Sequence, residues 1–176
     1  MQLAITVLGK KNHFFITDVV SAITTCRCCV LELRSSCFSH NTLAAYLLVA
    51  GEWNHLAKLE HLLDNLQKRL SLKIHTLQTE AEPITDQLYI PYRLETIAIE
   101  QTDAIEELII FLLRYPVAIA EAKSSCYPAP YTKTQLLATQ FVILIPPTIQ
   151  ILSFREEILD FCDSSNIDAV FEPIRR

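Results

Sequence analysis

Apolar and polar positions along this chain change period in a fixed order, and the order occurs twice. Residues 3–8 are apolar and partly β-branched and run into Gly9, which predicts a buried strand leaving into a loop. Over residues 15–26, Phe15, Val19, Ile23 and Cys26 fall at helical spacing beside Ile16 and Val20. Residues 30–38 read as a second strand, Ser39, His40 and Asn41 supply turn chemistry, and residues 43–50 form a nearly continuous apolar third strand closed by Gly51. The plainest helix covers residues 53–70. Leu56, Leu59, Leu63, Leu66 and Leu70 make its stripe, Leu62 widens it, and Glu60, Asp64, Lys68 and Arg69 stay outside. This run is too short for a coiled coil and fits a helix lying on a sheet. Residues 72–77 close the first unit.

A polar stretch with two prolines, Pro83 and Pro91, shows no period and reads as a linker. The second unit then repeats the order. Residues 94–100 alternate, with Ile97 and Ile99 against Thr96 and Glu100. Asp103 followed by Glu106 predicts a capping box for a helix whose face is Ile105, Leu108, Ile109, Leu112 and Leu113, and Tyr115 before Pro116 ends it. Residues 117–126 and 136–145 are strands joined by a Pro- and Tyr-rich loop. Pro146 and Pro147 break the chain, Ser153 and Glu156 predict a second capping box, and residues 167–171 give the last strand. The sequence therefore predicts an α+β protein with two βαββαβ units, over residues 1–80 and 92–176, joined by a linker at 81–91. Such units in tandem point to small regulatory or binding modules rather than to one catalytic domain.

Composition narrows this further. Only two of the 176 residues are glycine, so neither a Rossmann fingerprint nor a P-loop can be written here, since both need glycines to bring backbone N–H groups against phosphate. A net charge of −5 argues against direct nucleic-acid contact. There is no apolar run long enough for a transmembrane helix, and the apolar start has no basic segment before it and no cleavage site after it. The six cysteines lack the spacing of a secreted disulfide framework, which places the protein in a reducing cytoplasm.

Candidate chemistry is sparse. Cys26, Cys28 and Cys29, with Cys37 nearby, form the densest thiol cluster, but no second pair completes a zinc site, and Cys26 lies on the apolar face of its helix. The expectation is buried or idle thiols, no metal and no cofactor. The five histidines are scattered, and the pairs Glu80/Glu82, Glu106/Glu107 and Glu156/Glu157 sit in the linker or in first helical turns, where capping and solubility explain them. No catalytic residues are expected. Trp53 reads as a plug at the end of its module. Tyr127 and Tyr131, stiffened by Pro128 and Pro130, make an exposed aromatic hairpin suited to contact with a partner or a second copy, which would make the protein a homo-oligomer.

Three stretches carry a family resemblance: residues 3–9 (Leu-Ala-Ile-Thr-Val-Leu-Gly), Thr25-Cys26-Arg27-Cys28, and residues 47–54 (Leu-Leu-Val-Ala-Gly-Glu-Trp-Asn). Together with Ala118-Ile119-Ala120-Glu121 in the second half, they resemble the glycine cleavage system transcriptional repressors, which consist of two ACT domains. The resemblance implies ferredoxin-like antiparallel sheets with helices on one face. It also implies a non-enzymatic repressor that senses glycine or another amino acid and binds a LysR-type transcription activator without touching DNA. Family members that hold an amino acid favour aspartate and glycine in the loop after the first strand. This chain has Lys11 and Phe14 at those places, within Gly9-Lys10-Lys11-Asn12-His13-Phe14, and the matching loop of the second unit, Gln101-Thr102-Asp103, has no glycine. Ligand binding of an altered kind is therefore expected, with Gly9, Lys10, Lys11, Asn12 and His13 offering an anion a basic, donor-rich pocket. The alternative is a divergent ACT protein with a different ligand or partner.

Overall fold

The computed structural model describes residues 1–10, 15–39, 41–80, 88–99 and 103–174. The elements run β1 (Gln2–Lys10), α1 (Phe15–Thr25), β2 (Cys29–Ser39), β3 (Thr42–Ala50), α2 (Trp53–Leu70) and β4 (Lys73–Thr79), then β5 (Ile90–Ile99), α3 (Ala104–Leu112), β6 (Ala118–Pro128), β7 (Gln135–Ile145), α4 (Ile151–Ser164) and β8 (Asp168–Pro173). This is βαββαβ twice. Each unit makes a four-stranded antiparallel sheet, in the orders β2-β3-β1-β4 and β6-β7-β5-β8. The chain divides into two compact units, Met1–Thr85 and Asp86–Arg176.

Alternation decides which sheet face is covered. In the first unit Leu3, Ile5 and Val7 of β1 and Ala45, Leu47 and Val49 of β3 turn inward. They bury against Phe15, Val19 and Ile23 of α1 and the leucine stripe of α2. The second core is built likewise from Leu94, Phe141, Ile143 and Ile145 under Leu108 and Leu112 of α3 and Phe154 and Ile158 of α4. It is richer in aromatics: Phe111 stacks on Phe161 at 4.5 Å, and Phe154 meets Tyr115 and Phe171 edge-on.

Several expectations need correction. β5 begins at Ile90, inside the stretch read as linker, and contains Pro91. Pro91 is tolerated because it sits where the ladder with β8 ends, and its carbonyl still accepts from the Ile174 N–H. Asp103 precedes α3 but makes no side-chain cap, since its backbone is already helical (φ −111°, ψ −11°). α4 starts at Ile151 after Gln150, one turn earlier than the Ser153 signal implied, and the Ser153 hydroxyl donates to Glu157 within the helix instead. Trp53 opens α2 with 68% of its surface exposed and plugs nothing, because the stripe that faces the sheet starts at Leu56.

Candidate functional site

Of the residues expected at the loop after β1, Gly9 and Lys10 are described, and Lys11, Asn12 and His13 lie outside the described residues. Lys10 ends β1 opposite Thr42, with its side chain exposed. Gly9 has a different reason to be glycine than a ligand would give. A Cβ built there would lie 2.4 Å from Leu72 Cδ2 and 3.1 Å from the Phe15 ring, so two buried side chains occupy the space a side chain would need. Its φ is not positive, so packing and not backbone conformation selects the residue.

The second unit shows the same place solved differently. Leu8 pairs with the first residue of β4, and Ile97 with the first residue of β8. This register makes Gly9, Phe15 and Leu72 equivalent to Ala98, Ala104 and Ile167. The large ring with a glycine beneath it becomes two alanines. One position inward, Val7, Ala45 and Ser35 correspond to Thr96, Thr139 and Ser124. The Thr96 hydroxyl donates to the Thr139 carbonyl at 3.3 Å, and the Ser124 and Thr139 hydroxyls lie 2.9 Å apart. Thr96 and Thr139 are buried, and each is satisfied within this row. Sequence reading did not find it, because the partners lie on three strands far apart in the chain.

Tyr127 and Tyr131 belong to the hairpin between β6 and β7. The Ala129 N–H donates to the Thr134 carbonyl and the Lys133 N–H to the Ala129 carbonyl, with Lys133 left-handed at φ 59°. Tyr131 stands on this turn with 98% of its surface exposed. Tyr127 is on the strand itself, opposite Leu136, which in turn faces Ile99 on β5. All three lie on the sheet face away from the helices, and Ile97 follows in the next row. The far half of that face is charged, with Arg93 near Glu95 and Glu172 and the Gln140 amide donating to Glu95.

None of the six cysteines is in a disulfide. Cys26 and Cys162 are buried, and Cys29, Cys37 and Cys126 are exposed. Burial raises the Cys28 thiol, with Cys26 adding to the effect; burial also pushes Cys162 up to about 11, with the Asp163 charge adding to it. These are poor nucleophiles, since reactivity follows the thiolate. Among the described residues no three His, Cys, Asp or Glu side chains gather as metal ligands. Tyr115 donates to the Glu157 carboxylate, and this hydrogen bond, with burial, raises the phenol while tying the end of α3 to α4. Among the described residues no helix is long and apolar enough to cross a membrane.

Two open antiparallel sheets, each with two helices on one face, define the class as a tandem of ferredoxin-like α+β modules. Residues 1–76 match the family model of the ACT domain. Over its whole length the fold is that of a crystal structure of a proposed glycine cleavage system transcriptional repressor, at a TM-score of 0.76 and 14% identity, covering 99% of this chain and 98% of that one. An unknown protein from Galdieria sulphuraria is equally similar, with a TM-score of 0.76, 16% identity and the same coverage. At such identities the likeness speaks for the fold alone, two βαββαβ modules in tandem as the resemblance implied, and the ACT family match covers the first of them. No curated protein matches the sequence.

Proposed function

We propose that this protein is a non-enzymatic cytoplasmic regulator that modulates a LysR-type transcription activator of glycine cleavage genes by protein contact, in response to glycine or another amino acid. The observation that carries this reading is the likeness along the whole chain to a structure described as a proposed glycine cleavage system transcriptional repressor. The negative net charge favours a protein partner over DNA. The contact surface is the hairpin with Tyr127 and Tyr131, continued onto the sheet face by Leu136 and Ile99, and the same surface serves homo-oligomer formation. Small carboxylates bind at the loop made of Gly9, Lys10, Lys11, Asn12 and His13.

A second reading, a divergent ACT protein with another ligand, is favoured by Gly9 itself, which serves packing against Leu72 and Phe15 instead of close backbone approach to a ligand. A thermal-shift series over the twenty amino acids, paired with a pull-down from cytosol, separates the two. Stabilisation by glycine and recovery of a transcription activator are expected. A shift with another amino acid and no activator would select the second reading. Changing Tyr127 and Tyr131 together to Ala is expected to lose the activator and shift the protein toward monomer in analytical ultracentrifugation. Unchanged association would remove the hairpin from the interface.

A further inference from the structure

Between α1 and α2 of the first unit runs a groove of about 250 Å³ that shares no residue with the loop after β1. Its floor is apolar: Ala22 and Leu66 are buried, and Leu62 is half-buried and packed on the same core. One end is charged, with Arg69 Nη2 donating to Asp18 Oδ1 at 3.2 Å. Asn65 supplies a neutral amide on the wall, and the neighbouring Thr25 hydroxyl is already used on the Ser21 carbonyl.

We propose that this groove is a binding site for a free α-amino acid with a medium-sized aliphatic side chain, its carboxylate on Arg69 and its ammonium on Asp18. A lone anion would meet the Asp18 carboxylate and a lone cation the Arg69 guanidinium. A zwitterion presents both signs and replaces both partners at once, and the exposed ion pair it displaces contributes little by itself. Arg69 can hold a carboxylate with two parallel N–H donors, and charge-assisted bonds of this kind are the strong ones. The side chain then lies on Ala22, Leu62 and Leu66. Glycine would leave that floor bare, so the groove selects a leucine-like ligand and is distinct in preference as well as in place from the loop. The inference rests on the regulatory reading only in taking free amino acids as the ligand class.

Isothermal calorimetry of the full chain with L-leucine, leucine amide, N-acetyl-leucine and glycine tests it. Leucine is expected to bind, and both blocked analogues, each missing one charge, to bind about tenfold more weakly or worse. D18N and R69Q are expected to weaken leucine by a similar factor and to leave any response to glycine intact. The blocked analogues keep the test valid should either variant misfold. Absence of leucine binding, equal binding of the blocked analogues, or binding indifferent to both variants would overturn the groove. A glycine response that survives any of these outcomes would leave the regulatory reading standing, and loss of every amino-acid response would remove both.

Discussion

Gly9 is the residue where the two units differ most instructively. A methyl group there would press on Leu72 and Phe15, while the equivalent Ala98 is tolerated because Ala104 replaces the phenyl ring. Gly9→Ala is expected to destabilise the first unit by about 1–3 kcal/mol, the usual cost of overpacking, read as a lower urea midpoint. Leu72→Ala in the same chain should relieve part of the clash. Cys162 gives a second prediction at this scale. Its thiol rises from 9.0 to about 11 on folding, so the folded state holds the proton longer than the unfolded chain. The stabilisation is complete below pH 9.0 and is lost as pH rises toward about 11. Urea unfolding over that window should fall more steeply for the native chain than for Cys162→Ala; equal slopes would remove the effect.

At the level of elements, the shortage of glycine has a structural consequence. Three helix-to-strand turns need a left-handed residue, and Arg27 (φ 56°), Ser71 (φ 52°) and Asn166 (φ 54°) fill them where glycine would ordinarily sit. At Ser71 the helix still closes, with the Leu72 N–H reaching the Gln67 carbonyl at 3.0 Å. A side chain in this conformation costs about 1–2 kcal/mol, so Ser71→Gly is expected to stabilise the first unit by roughly 1 kcal/mol, visible as a higher melting temperature. A neutral or negative shift would mean that the Ser71 side chain supplies something the backbone does not. Asp103 teaches the converse. It has the composition of a cap without the geometry, because a residue whose own φ and ψ are helical does not present its carboxylate to the next turn as an extended one does.

Across the whole molecule, the two hydrophobic cores share no residue, and each is enclosed by its own sheet and helix pair. Each unit should therefore fold by itself. Met1–Thr85 and Asp86–Arg176, expressed separately, are expected to unfold cooperatively in calorimetry, each less stably than a larger domain, since a small domain buries a smaller share of its surface. A half that remained unfolded alone would show that its core depends on the other.

The order βαββαβ and its repetition were legible in the sequence because period two and period 3.6 are local properties, written in residues such as Leu3, Ile5 and Val7 or Leu56, Leu59 and Leu63. The likeness of the first unit to the ACT domain was carried by short local stretches for the same reason. Helix starts were legible less well, since Ser153 and Asp103 satisfy the composition of a cap and the backbone around them decides whether one forms. Trp53 was misplaced as a plug, because one residue at a helix end can face either way until the stripe behind it is docked. What only the tertiary structure decided are the relations between distant residues: Gly9 under Leu72, the hydroxyl row Thr96–Thr139–Ser124, Tyr127 beside Leu136 and Ile99, and Asp18 against Arg69. Side-chain period fixes what each element is; strand register and helix docking fix what meets across it, and the candidate sites belong to the second.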